Sequence, residues 1–108
     1  MYYLTTAINY TNSSPHLGHA YEIIIADTQS RFQKLYNNKV FFTTGADEHG
    51  QKIEQTAQYL DLQPIELCEK YVKEFKELNN KLNVNVDVYV RTSDPHHHSV
   101  LKDIWNKC

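Results

Sequence analysis

Apolar and polar positions change their period several times along the chain, and each change predicts an element. "YYLTTAI", from Tyr2 to Ile8, is rich in β-branched and aromatic residues and reads as a strand. "NYTNSSP" then supplies turn chemistry. From His16 a helical beat carries through Tyr36, with Leu17, Ala20, Ile24, Phe32 and Leu35 as its apolar stripe and Asn37 and Asn38 as its stop. "VFFTT", Val40 to Thr44, is a short continuous apolar run of the kind found in strands covered on both faces. Strand, helix and strand thus fit within ~45 residues, the length of a βαβ unit.

"GADEHG" follows as a loop at the carboxyl end of the second strand, and a helix after it carries Ile53, Ala57 and Leu60 on one side. Pro64 opens another helix at its first turn, where a missing N–H costs nothing. There Ile65, Cys68, Val72, Phe75, Leu78 and Leu82 keep the helical spacing. "VNVDVYV", Val84 to Val90, alternates with period two and predicts a strand with one wet face at a sheet edge. In "SDPHHHSVLKDIW" Asp94 is the N-cap and Pro95 the first helical residue, with Val100, Leu101, Ile104 and Trp105 as the buried side. The fold class these elements predict is α/β, a Rossmann-like open parallel sheet without repeats or low-complexity segments.

Composition narrows the reading modestly. A chain of 108 residues supports one core. Its 41% hydrophobic and 22% charged residues and net charge of −2 describe a soluble protein without the basic excess that often marks nucleic-acid affinity. No apolar run reaches the ~18 residues of a membrane helix, and "MYYLTTAINY" lacks a basic leader, so an intracellular, cytoplasmic location is expected, with an organellar one open. Cys68 and Cys108 have no CxxC spacing, which signals neither a zinc site nor a disulfide framework and suits a reducing compartment.

In open α/β sheets ligands bind outside the carboxyl ends of the strands, and two unusual motifs lie there. His16 and His19 occupy the first turn of the helix after the first strand, where free backbone N–H groups and the macrodipole favour an anion. Two imidazoles there can donate to phosphoryl oxygens, and Gly18 between them lets a flat ring or sugar approach the backbone. This H-x-G-H spacing suits a nucleotide better than a metal, whose helical ligands more often stand four apart. Asp47 sits where the sheet opens, with turn capping as its plain alternative, and Tyr10 is a strand-end aromatic that could equally be core. Glu48 and His49 read as loop caps or as supports behind the site. His96, His97 and His98 point in three directions on a helix and read as solvated surface, as does the Lys/Glu mixture from Glu66 to Lys81.

"PHLGHA" resembles the HIGH signature of class I aminoacyl-tRNA synthetases in a leucine-for-isoleucine form, although nucleotidylyltransferases carry a similar HxGH. Its neighbours choose the branch. "TTAINY", "TGADEHGQKI" and "YVRTSDPHHH" resemble the methionyl-tRNA synthetase patterns "TTPIYY", "TGTDEHGQKI" and "FIRTTDP", in order and over essentially the whole chain. The resemblance implies adenylation of methionine by ATP with Mg2+, then transfer to tRNA(Met), the tRNA being bound mostly through regions absent here. It implies that His16 and His19 hold the ATP phosphates, that Gly18 packs beneath the adenosine, and that Asp47 holds the methionine ammonium. Ala7, Ile8 and Tyr10 would line the methionine pocket. Residues 1–90 would be the first half of the nucleotide-binding catalytic domain and 91–108 the start of a connective insertion. A second sheet half with a lysine-rich loop and an anticodon-binding domain would be absent, so these 108 residues alone are expected to be inactive.

Two departures stand out: Ala7-Ile8-Asn9-Tyr10 where the family has Pro-Ile-Tyr-Tyr, and "NSSPH" where it has "NGKPH". The alternatives are a sister synthetase for leucine, isoleucine, valine or cysteine, an HxGH nucleotidylyltransferase, and a non-catalytic synthetase-like binding module.

Overall fold

The computed structural model describes residues 1–108. Its elements are β1 (Tyr2–Thr5), β2 (Asn9–Tyr10), α1 (Leu17–Leu35), β3 (Val40–Asp47), α2 (Gln51–Tyr59), α3 (Pro64–Lys81), β4 (Val88–Arg91) and α4 (Pro95–Trp105). All pairings are parallel and all involve β3. Thr43 pairs at once with Thr5 and Val88, and Ala46 with Asn9 and Arg91, so β1 and β2 follow one another along one edge of β3 while β4 occupies the other. The expected βαβ unit is present, with α1 as its crossover.

The expected first strand is two strands. The chain leaves the ladder at Thr6, whose hydroxyl reaches Ala7 O at 2.7 Å and Thr44 Oγ1 at 2.6 Å, and rejoins it at Asn9, a residue that reads as turn in sequence. β3 runs on through Gly45, Ala46 and Asp47, expected to be loop, because β2 and β4 flank those residues and take up their backbone groups. Between Val84 and Asp87 the expected strand is irregular: Asp87 meets Phe42 with both backbone and side chain, accepting from Phe42 N–H at 2.7 Å and donating to Phe42 O at 2.8 Å. Only Val88–Arg91 forms a ladder.

One core cluster joins Ile23 and Ala26 of α1 to Phe42 and Val84, with Leu4, Val40, Leu82 and Val86 around it. A second joins Ile53 and Ala57 of α2 to Leu67, Cys68 and Tyr71 of α3, with Tyr10 against it. The buried face of α1 is therefore Ile23, Ala26 and Ser30 rather than the expected Leu17, Ile24, Phe32 and Leu35, which are exposed. The run Ile23-Ile24-Ile25 sweeps more than half the helix circumference, so periodicity alone admits two faces. In α4 the expected buried residues Val100, Leu101, Ile104 and Trp105 are all exposed, and the helix buries nothing.

Helices thus cover the sheet face of Leu4 and Phe42, while Tyr3, stacked on Phe41 at 5.7 Å and 64% exposed, marks a largely bare opposite face. The consequence is a slab of 49 × 39 × 16 Å. Its accessible surface of 7631 Å² exceeds the roughly 6,200 Å² of a compact protein of this mass.

Candidate active site

The carboxyl ends of β2 and β3 lie side by side, with Tyr10 opposite Asp47. The Asp47 carbonyl accepts from Thr11 N–H at 3.2 Å and Thr11 Oγ1 at 3.1 Å, and Thr11 is fully buried. That holds the backbone of Asp47 while its carboxylate has no hydrogen bond or ion pair within the protein. Tyr10 is half-buried against the cluster of Ile53, Ala57, Leu67, Cys68 and Tyr71, and its hydroxyl stands over Gly50. A Cβ at Gly50 would sit 2.5 Å from that hydroxyl, and Gly50 has φ of 126°, so this turn requires glycine twice over. Ala7 and Ile8 lie in the bend between β1 and β2, exposed, with Ala7 N–H donating to Glu22 Oε1 at 3.3 Å.

At the start of α1 the two histidines cap one another's turn. Gly18 N–H donates to His16 Nδ1 at 3.0 Å, and His16 N–H donates to His19 Nδ1 at 3.1 Å. An Nδ1 that accepts carries no proton, so each neutral ring holds its hydrogen on Nε2. Two Nε2–H donors are left over at a helix N-terminus, the arrangement an anion needs. The rings lie 3.9 Å apart, and His19 rests edge-on against Phe75 at 5.0 Å. Burial, and then the neighbouring His16, lower the pKa of His19 although Glu22 pulls the other way, which favours the neutral donor. Gly18 has a reason beyond ligand approach: a Cβ there would lie 2.9 Å from His16 Cε1 and push the capping ring away.

α3 backs both halves of the site. Cys68 accepts from Thr11 Oγ1 at 3.1 Å beside Asp47, and Phe75 supports His19 two turns, about 10 Å, further along. Burial raises the Cys68 pKa, so the thiol stays protonated.

The chain is similar throughout its length to proteins of known kind. A family model described as tRNA synthetases class I (M) matches residues 2–108. The chain belongs to the class I (M) tRNA synthetases. Its relatives include the methionine–tRNA ligase of Rhizobium meliloti (strain 1021), 46% identical over 96% of this chain and 20% of that protein. The Campylobacter jejuni methionine–tRNA ligase is 46% identical over 99% of this chain and 17% of that protein. The solved structure of Mycobacterium tuberculosis methionyl-tRNA synthetase in complex with methionyl-adenylate superposes with a TM-score of 0.94 at 41% identity, over 97% of this chain and 21% of that one. The chain thus spans about a fifth of the length of the relatives it matches.

In this class I synthetase segment Tyr10 and Asp47 are brought together, and His16, Gly18 and His19 form a second group on the same side of α3. A cavity of about 500 Å³ lies between β1 and α1, and Ala7, Ile8, Tyr10 and Asp47 do not line it. No three His, Cys, Asp or Glu side chains converge as metal ligands. No helix is long and apolar enough to cross a membrane.

Thr11 and the partners of Glu48 are not legible in the sequence. Glu48, readable only as a cap or support, is a buried carboxylate whose Oε1 accepts from Arg91 Nε at 2.9 Å and Nη2 at 2.7 Å. Its Oε2 accepts from Ser93 Oγ at 2.6 Å and Ser93 N–H at 3.3 Å. Burial alone would raise its pKa, but the bonds from Arg91 and Ser93 and the Arg91 charge outweigh that and leave it lowered. The one sequence signal was an arginine ending an apolar strand, Val88–Arg91.

Proposed function

We propose that the protein of which these residues form part is a methionine–tRNA ligase: it activates methionine with ATP to methionyl-adenylate and passes the methionyl group to tRNA(Met). The observation that carries this reading is the unpartnered Asp47 carboxylate, fixed at its backbone and set at the strand ends on the same α3 wall that supports the paired Nε2–H donors of His16 and His19.

Asp47 takes the methionine ammonium, which selects an α-amino acid and aims its carboxylate at the α-phosphorus. A carboxylate oxygen forms the new bond to phosphorus as the bond to pyrophosphate breaks, giving a mixed anhydride. His16 and His19 donate through Nε2–H to phosphoryl oxygens as charge develops there, a task of electrostatics and position. Gly18, exposed in the first turn, lets the adenosine approach the helix backbone. Tyr10, immobilised by the core behind it, forms the aromatic wall of the thioether pocket, with Ala7 and Ile8 at the mouth. A hydroxyl of the tRNA terminal adenosine then attacks the anhydride carbonyl and releases AMP. Mg2+ enters this reading only as counterion of the ATP phosphates.

Residues 1–90 serve as the first half of the catalytic domain and 91–108 as the start of the connective insertion. That the 108 residues span about a fifth of their relatives' length supports their inactivity in isolation. The working location of such an enzyme is the cytoplasm or an organelle, which suits the two unpaired thiols.

ATP–pyrophosphate exchange by the full-length protein across methionine, leucine, isoleucine, valine and cysteine tests the reading. Exchange with methionine alone, lowered about 100-fold by Asp47→Ala at fixed methionine, is expected. Exchange with another amino acid would reassign the substrate, and none at all would favour a binding module.

A further inference from the structure

Glu48 follows Asp47 directly, and every polar atom it has is engaged. Its carboxylate takes four bonds from Arg91 and Ser93. Its N–H donates to Thr92 Oγ1 at 2.9 Å, and its carbonyl faces the Cys68 thiol at 3.8 Å. Thr92 N–H in turn donates to Ala46 O at 3.3 Å, and the His49 ring reaches Thr92 O at 3.2 Å. Residues 46, 48 and 49 are therefore tied to residues 91–93 on one side, while Thr11 ties the carbonyl of residue 47 on the other. In the midst of this one side chain, the carboxylate of Asp47, is left free.

Stability does not explain the arrangement. Taking a carboxylate fully out of water for an ion pair is often no better than filling the space with apolar groups. What the arrangement adds is direction, since two Arg91 N–H groups on Oε1 and the Ser93 hydroxyl and N–H on Oε2 hold each carboxylate oxygen in place as a hydrophobic contact cannot. Asp47 has only two side-chain torsions, so its carboxylate goes where its backbone puts it.

We propose that the Glu48–Arg91–Ser93 latch is a positioning device for methionine recognition, holding the end of β3 so that the Asp47 carboxylate meets the substrate ammonium. It rests on the reading of Asp47 given above. Glu48 and Arg91 are positioning residues and touch no substrate. Because Arg91–Ser93 also leads into α4, the latch joins the amino-acid site to the segment that follows.

The test is a double-mutant cycle in the full-length enzyme, read as the KM for methionine and, separately, for ATP in pyrophosphate exchange. Misplacing a recognition group by a fraction of an ångström costs about tenfold, so Glu48→Gln and Arg91→Lys are each expected to raise the methionine KM by about that factor, leaving the ATP KM within about twofold. In the Asp47→Asn background Glu48→Gln is expected to add less than about twofold, because the group it positions is gone. The same full loss in both backgrounds, or parallel rises for methionine and ATP, would overturn the latch. Asp47→Asn without effect on the methionine KM would instead overturn the ammonium assignment and, with it, the purpose of the latch. Should Glu48→Gln fail to fold, Ser93→Ala removes the 2.6 Å bond alone and should show the same coupling at about threefold; additivity there would equally end the proposal.

Discussion

Two helices of this protein carry histidines in their first turn, and only one of them brings the rings together. At α1, His16 and His19 are one turn apart, cap the first turn through Nδ1, lie tilted with ring centroids 3.9 Å apart and leave two Nε2–H donors free at the mouth of the sheet. At α4 the capping is done by Asp94, which accepts from His96 N–H at 2.8 Å, and His97 and His98 lie 6.5 Å apart on a helix that buries nothing. The residue type and the helix terminus are shared; the spacing and the surroundings differ. Adjacent histidines on a helix diverge by about 100° and cannot serve one anion, whereas an i, i+3 pair can.

The sharpest break of this comparison is substitution in the full-length enzyme. His19→Ala should lower pyrophosphate exchange about 100-fold or more, in line with the loss of a donor to developing charge, while alanine at His96, His97 and His98 together leaves it within about twofold. Next comes His16→Asp, which keeps a good cap but sets a negative charge against phosphate. Exchange should fall at least as far as in His16→Ala, while far-UV circular dichroism shows α1 retained. A smaller effect is expected of Gly18→Ala. Alanine suits a helix about 1 kcal/mol better than glycine, but its Cβ displaces the His16 ring, so the ATP KM should rise about tenfold with the methionine KM unchanged.

The smallest effect is a titration. His19 should lose its proton at a pH below the ordinary 6.5 because burial and His16 both disfavour the charged ring. The folded state then gains stability as pH rises through the window between that lowered value and 6.5, and loses it as pH falls through the lowered value. NMR titration of the His19 ring should report the low midpoint, moving upward in His16→Asn, which removes the neighbouring imidazole.

The contrast also bears on what a sequence discloses. Starts of elements were legible, because caps are local: Pro64 and Pro95 open α3 and α4, and His16 caps α1. The placement of the histidine motif at the start of α1 was legible too, since spacing and a turn at the sheet mouth are written in consecutive letters. Which face of α1 packs was not, since Ile23, Ile24 and Ile25 offer two faces and Phe42 and Val84, far along the chain, select one. The apolar side of α4 was real as a pattern, yet a pattern states only that a face is apolar, not that these residues supply its cover. The end of β3 was misread because β2 and β4, not its own residues, extend it to Asp47. Glu48 was half legible: its charge showed, but Arg91, 43 residues on, did not announce itself as its counterion.

The buried thiol of Cys68 gives the site a clock. Protonated, and packed between the Thr11 hydroxyl and the Glu48 carbonyl, it meets an alkylating reagent only when α3 lifts from the strand ends. Its labelling rate therefore counts those openings. Whatever binds at the Asp47 carboxylate and clamps the strands to that helix should slow the count, making one sulfur atom a timekeeper for how often α3 leaves the strand ends.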